Sequence, residues 1–143
     1  MDKRDLEQLL SDVADGSITP ADALTRIQTA PTADLGFAQL DLSRGVRQGA
    51  GEVIYGAGKT AEQIAAIIEA LLDAGQGHVL VTRLDADKAA RTAELLADDI
   101  DLGYIPNAQL ALVGGKPSPT GNGRVVVACA GTSDLPVAEV ARA

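Results

Sequence analysis

At 143 residues, with fourteen Asp and six Glu against twelve Lys and Arg and a formal net charge of −8, the chain has room for one domain with a real core, and its charge argues against a nucleic-acid footprint or an anionic membrane surface. Hydrophobic residues make up 46% of it and aromatics only 2%, so the core has to be built from Leu, Ile, Val and Ala, which suits helices laid on a sheet. The single cysteine, Cys129, excludes an internal disulfide, no stretch is long and apolar enough to span a bilayer, and the amphipathic start is unlike a leader, so a cytoplasmic protein is the default expectation.

Leu6, Leu9, Leu10 and Val13 fall on one stripe and predict a helix over 5–14, stopped by Gly16. Thr19 as N-cap, Pro20 as first helical residue and Asp22 in the first turn start a second helix, 20–28, whose Ala23, Leu24 and Ile27 would face the first. Together they predict an αα-hairpin arm over residues 1–30. Residues 31–35 read as a linker, and Phe37, Leu40 and Leu42 as inward-facing. If 41–48 is helical, Arg44 and Arg47 share one side, with Asp41 three residues before Arg44. That trio reads either as a surface ion-pair set or as an anion-handling cluster, since arginine forks grip carboxylates and phosphates bidentately.

The most sharply punctuated stretch is Glu52-Val53-Ile54-Tyr55-Gly56-Ala57-Gly58-Lys59-Thr60. It predicts a strand, a glycine turn and the capping box Thr60/Gln63 at the start of a helix. A helix N-terminus beside a lysine attracts anions. It is not a phosphate-binding P-loop, because the glycine required five residues before Gly58 is replaced by Val53, inside the strand.

Ile64, Ile67, Ile68, Leu71 and Leu72 give the clearest helical periodicity of the chain, 60–73, ended by Gly75 and Gly77. Val79, Leu80 and Val81 predict a buried strand over 78–82. A helix from Asp85 or Asp87 to Ala97 follows, faced by Ala89, Ala90, Ala93, Leu96 and Ala97. After a solvated Asp98–Asp101 loop, Tyr104 and Ile105 open a short strand and 108–113 forms another. Residues 114–123 have linker composition. Residues 124–130 predict a further buried strand, with Cys129 inert inside it, before a Gly131-Thr132-Ser133-Asp134-Leu135-Pro136 loop and a helix start. His78, the lone histidine, has no neighbouring ligand set, so no metal site is expected. The predicted architecture is α/β: a helical hairpin (1–30), a small, mainly parallel sheet with crossover helices (31–113), a linker (114–123), and the truncated start of a second α/β domain (124–143).

Taken in order, Leu35-Gly36-Phe37-Ala38, Asp41 with Arg44 and Arg47, Gln48-Gly49, Glu52 to Thr60, Val79-Leu80-Val81-Thr82-Arg83 and Ala130 to Glu139 resemble the N-terminal part of the LarB-like family of nickel-pincer cofactor biosynthesis. The resemblance implies a full-length enzyme with a second domain similar to aminoimidazole ribonucleotide carboxylase, which forms oligomers. Such an enzyme is expected to carboxylate nicotinic acid adenine dinucleotide with CO2 or bicarbonate and to release AMP and pyridinium-3,5-biscarboxylic acid mononucleotide. No tightly bound cofactor is implied, and the catalytic cysteine would lie beyond this chain, leaving it inactive alone and without catalytic residues of its own. Thr132, Ser133 and Asp134 are then candidate dinucleotide contacts, against a plain helix cap as the alternative. Lys59 is a candidate anion contact or an exposed turn lysine, and Arg44 and Arg47 are candidate clamps oriented by Asp41. The partners implied are the small-molecule dinucleotide and either the carboxylase-like domain or a second copy, with neither nucleic acid nor membrane. The alternative reading is a noncatalytic α/β nucleotide-binding or assembly module.

Overall fold

The computed structural model describes residues 3–28, 32–42, 44, 51–116, 118 and 121–142. These separate into two compact units, one comprising residues 1–52 with 70–76, the other 53–69 with 77–143.

In the first unit, α1 (Lys3–Ala14) packs on α2 (Pro20–Gln28). The Thr19 hydroxyl accepts the Asp22 N–H at 3.1 Å while donating to the Asp22 carboxylate at 2.7 Å, which satisfies one of the orphan donors of the α2 N-terminus. Leu9 and Ala23 are buried, whereas Leu10 and Leu24, placed on the apolar stripe by periodicity, are exposed. The 31–35 linker is revised, and so is the start of the 41–48 helix: Asp41 belongs to a strand and Leu42 to a turn, whereas Arg44 is helical and residues 43 and 45–48 lie outside the described residues. Strand β1 (Thr32–Asp34) pairs antiparallel with β2 (Gln39–Asp41) in a tight hairpin, the Leu35 N–H donating to the Ala38 carbonyl at 2.9 Å. Gly36, at φ +78°, makes the turn, and Asp34 accepts its N–H at 2.8 Å. Leu40 is buried, but Phe37 at the hairpin tip is exposed rather than inward-facing.

In the second unit, β3 (Val53–Tyr55), crossover helix α3 (Ala61–Asp73, which extends into the first unit) and β4 (Val79–Thr82) form a βαβ element, with β3 and β4 parallel. Helix α4 (Ala86–Leu95) then leads to β5 (Leu102–Ile105), and a 3-10 turn (Pro106–Ala108) reverses the chain into β6 (Leu110–Val113). The strand order is β3-β4-β6-β5. Strand β6 lies antiparallel to both its neighbours, so the α/β sheet is mixed, with its parallel character confined to the β3/β4 pair. Strand β3 is therefore an edge of this sheet, and Val53 and Tyr55 are correspondingly exposed on either side of buried Ile54. The core comes from Ile54, Ile64, Ile67, Ile68, Val79, Val81, Leu84, Leu110 and Val113. No helix among the described residues is long and apolar enough to cross a membrane.

The capping box at α3 is formed as the sequence predicts: Thr60 N–H donates to Gln63 Oε1 at 3.0 Å and Gln63 N–H to Thr60 Oγ1 at 3.2 Å. Helix α4 buries a narrower face than its alanine spacing implied. Ala89, Thr92 and Leu96 are buried, while Ala90, Ala93 and Ala97 are exposed. Thr92 is accommodated because its hydroxyl donates to the Lys88 carbonyl at 2.8 Å.

Asp85 caps α4 by accepting the Lys88 N–H at 2.8 Å. That backbone hydrogen bond, ahead of the Lys88 charge, holds its carboxyl below the ordinary value of 3.8. A carboxyl depressed on folding contributes stability that is present above the unfolded pKa and is lost as pH falls through the folded one. The urea midpoint of Asp85→Ala should therefore trail wild type by a constant margin near neutrality, and the margin should narrow as the pH falls through and below the ordinary aspartate value of 3.8. A margin that stays constant across that range would rule out the carboxylate as its source.

The largest departure is at the C-terminal side. Residues 124–130 form neither helix nor strand, and Val125 and Val126 are 94% and 86% exposed. The Val-Val-Val run has the composition of a buried strand but pairs with none of the strands of the β3-β4-β6-β5 sheet. Cys129, expected inside that strand, is a free, exposed thiol. Helix α5 (Leu135–Arg142) follows and packs on the 3-10 turn.

Candidate functional site

Strands β3 and β4 run parallel and end side by side, and the chain leaves each through a tight turn. At β3 the Gly56 N–H continues the pairing by donating to the Thr82 carbonyl at 2.7 Å. Gly56 is required for space rather than for an unusual backbone angle: a Cβ there would lie 3.0 Å from the Thr82 carbonyl oxygen and 3.3 Å from Val81. Gly58 has open space around it and no left-handed φ, so neither glycine of this turn uses the conformational freedom the sequence suggested. At β4 the next residue, Arg83, takes a left-handed φ of 55°. Across from it Gln109 does the same at 47°, and the Leu84 N–H donates to the Gln109 carbonyl at 2.9 Å, tying the two turns together. Tyr104 reinforces the junction by donating its hydroxyl to the Leu84 carbonyl at 2.8 Å, and burial raises its pKa.

These strand ends open on a cavity of about 350 Å³ lined by Tyr55, Thr82, Arg83, Ala108 and Gln109 on one side and by Pro136, Val137 and Val140 of α5 on the other. The crevice beyond the carboxyl ends of parallel strands is where open α/β sheets bind ligands. The Thr82 hydroxyl is already committed, donating to the Ile54 carbonyl at 3.3 Å.

The turn before α3 offers less to an anion than its sequence implied. Its donors are largely consumed internally: Lys59 N–H goes to the Gly56 carbonyl at 3.2 Å, and Thr60 and Gln63 cap each other. The Lys88 ammonium donates to the Gly56 carbonyl at 3.1 Å and lies 3.6 Å from Asp85. Lys59 itself is half-buried at the tip.

The other residues singled out from sequence divide between the two units. In the first, half-buried Asp41 ends β2 and so shares no helical face with Arg44. Arg44 pairs with Glu52 at 3.1 and 3.4 Å. Glu52 is fixed in turn by a reciprocal bond, its N–H donating to Gln76 Oε1 at 2.8 Å and its carbonyl accepting from Gln76 Nε2 at 3.0 Å. Arg47 lies outside the described residues. In the second unit, Thr132, Ser133 and Asp134 are exposed in the loop before α5. Asp134 occupies the helix-capping position, its carbonyl accepting the Ala138 N–H at 3.0 Å. Of the cavity residues, Arg83 ended a quoted motif, whereas Gln109 gave no signal because a left-handed glutamine looks like any other in sequence. Among the described residues no group of three His, Cys, Asp or Glu is placed to hold a metal ion.

A βαβ element, an antiparallel hairpin beside it and a cavity at the parallel strand ends define a small α/β domain with a mixed sheet. Residues 32–114, more than half of the chain, match the family model of the LarB/PurE-like N-terminal domain, and the chain belongs to that family. No curated protein matches it.

Proposed function

We propose that this chain is the N-terminal part of an enzyme that carboxylates the pyridinium ring of nicotinic acid adenine dinucleotide and hydrolyses its phosphoanhydride, giving pyridinium-3,5-biscarboxylic acid mononucleotide and AMP. CO2 or bicarbonate would supply the added carbon, and residues 1–143 would not turn the substrate over alone. The observation that carries the reading is the family match across residues 32–114, and that membership supports a role in nickel-pincer cofactor biosynthesis.

Asp41, Arg44, Arg47, Lys59, Thr132, Ser133 and Asp134 are proposed to serve the dinucleotide in the assembled enzyme. Arg44 would have to exchange its Glu52 carboxylate, 3.1 Å away, for a substrate phosphate, a swap between two anions that an arginine fork can make. The exposed Val125 and Val126 favour a second reading in which the chain is a noncatalytic assembly module whose Val125–Val127 run joins the sheet of a carboxylase-like domain or of another copy, since an unpaired apolar β-forming segment seeks a sheet edge.

Incubating the purified chain with nicotinic acid adenine dinucleotide and bicarbonate, and following AMP and product mass, separates the readings. Dinucleotide binding without turnover is expected. Turnover would refute the inactive-alone assignment, and absence of binding would leave the assembly reading in possession of the field.

A further inference from the structure

Two features of the cavity at the strand ends remain outside the proposed reaction. Arg83 and Gln109 are the positive-φ residues other than glycine among the described residues, and both line this one cavity. A left-handed backbone disfavours any residue with a Cβ, and such positions cluster at ligand clamps and active sites; Gln109 is also the left-handed cap that ends the 3-10 turn, its N–H donating to the Pro106 carbonyl. Electrostatics adds the second feature. Arg83 is the one charged residue among the eight that line the cavity, in a chain of net charge −8. Among the described residues no hydrogen bond or ion pair engages its guanidinium or the Gln109 carboxamide. The remaining walls are an exposed tyrosine ring, Thr82 with its hydroxyl committed to the Ile54 carbonyl, Ala108, and Pro136, Val137 and Val140.

We propose that this cavity binds a small carboxylate with a compact, flat apolar body, its charge met by Arg83 and Gln109 and its body resting between Tyr55 and the Val137 and Val140 side of α5. A single guanidinium fork matches one carboxylate bidentately, whereas a phosphate dianion calls for more cationic charge than this cavity carries. A volume of about 350 Å³ is at the small end of ligand pockets. The tyrosine ring and the aliphatic helix side favour a ring over a polar chain. This assignment concerns residues other than the proposed dinucleotide contacts and stands apart from the reaction proposed above.

The test is titration of the full chain with benzoate, with benzamide as the uncharged isostere, followed by backbone amide shifts and calorimetry. Benzoate is expected to shift the amides of Tyr55, Thr82, Arg83, Ala108, Gln109 and α5, with benzamide binding roughly tenfold or more weaker because it forfeits a charge-assisted pair. Arg83→Gly removes the fork and relieves the left-handed backbone, so it should weaken benzoate by a similar factor while raising Tm. Gln109→Gly should likewise weaken benzoate and raise Tm, and a raised Tm in either variant shows that its loss of binding is not loss of fold. Equal affinity for benzamide, unchanged benzoate affinity in Arg83→Gly, or no binding of benzoate to wild type would each overturn the proposal.

Discussion

Gly114→Ala is expected to destabilise the protein by about 3 kcal/mol, combining roughly 1–2 for a left-handed residue that acquires a Cβ with roughly 1–3 for overpacking. Gly114 has φ +78°, and a Cβ on it would sit 2.1 Å from the carbonyl oxygen of Gly77 and 3.2 Å from its carbonyl carbon. The obstruction is backbone, so no rotamer change can clear it. Gly77 precedes β4 and Gly114 follows β6, and the two strands are bonded in register from Val79↔Val113 to Thr82↔Leu110. Making room therefore means parting the strands at the end of that ladder, where His78 Nδ1 and the Gly115 carbonyl lie 3.0 Å apart. Gly115 is the control. It too has a positive φ, +72°, but open space where its Cβ would go, so Gly115→Ala should carry the backbone cost alone, about 1 kcal/mol. Urea unfolding of both variants checks the pair. Equal losses would mean that the Gly77 contact contributes nothing.

Those two glycines show what sequence could and could not convey. A Gly-Gly pair followed by Lys and Pro reads as a linker, and composition carries no hint that the first glycine is pressed against another strand. The helices were legible because their signals are local: the Thr19 and Thr60 caps and the isoleucine spacing of α3 each lie within a few residues. Sheet order was not, because β6 lies between β4 and β5 through pairings no single segment encodes. Residues 124–130 failed for the opposite reason. Their strand propensity is strong, but a strand exists only when a neighbour offers a ladder, and Val125 and Val126 have none here.

The candidate site was half legible by the same logic. Residue types that handle anions, Arg44 and Lys59 among them, can be picked out from sequence. Their commitments are harder to read: the capping box that takes the donors around Lys59 is predicted by the sequence itself and Glu52 is placed to meet an arginine, but that Arg44 is the arginine it holds emerges only from the fold. The cavity at the strand ends was invisible because it is made by backbone geometry at Arg83 and Gln109, which depends on how β4 and β6 end beside each other.

Ile64→Ala should cost about 3 kcal/mol, the usual consequence of deleting a buried branched side chain that leaves a cavity. Ile64 is fully buried, and its helical neighbours Ile67 and Ile68 are 2% and 0% exposed, so the site has little freedom to collapse around a smaller residue. The sign of the effect carries information. Alanine is the better helix former by a few tenths of a kcal/mol, so if α3 stood on propensity and its Thr60/Gln63 cap alone, the substitution would be neutral or stabilising. A crossover helix between parallel strands stands instead on the apolar face it lays over them, and a loss an order of magnitude larger than the propensity gain would follow from that. Ile64→Val, which keeps most of the volume, should lose only about 1 kcal/mol. Urea unfolding with an unchanged m-value checks both, since a shift of midpoint at constant m reports stability rather than a change in what unfolds. A neutral Ile64→Ala would mean that the βαβ element is not held by the helix that crosses it.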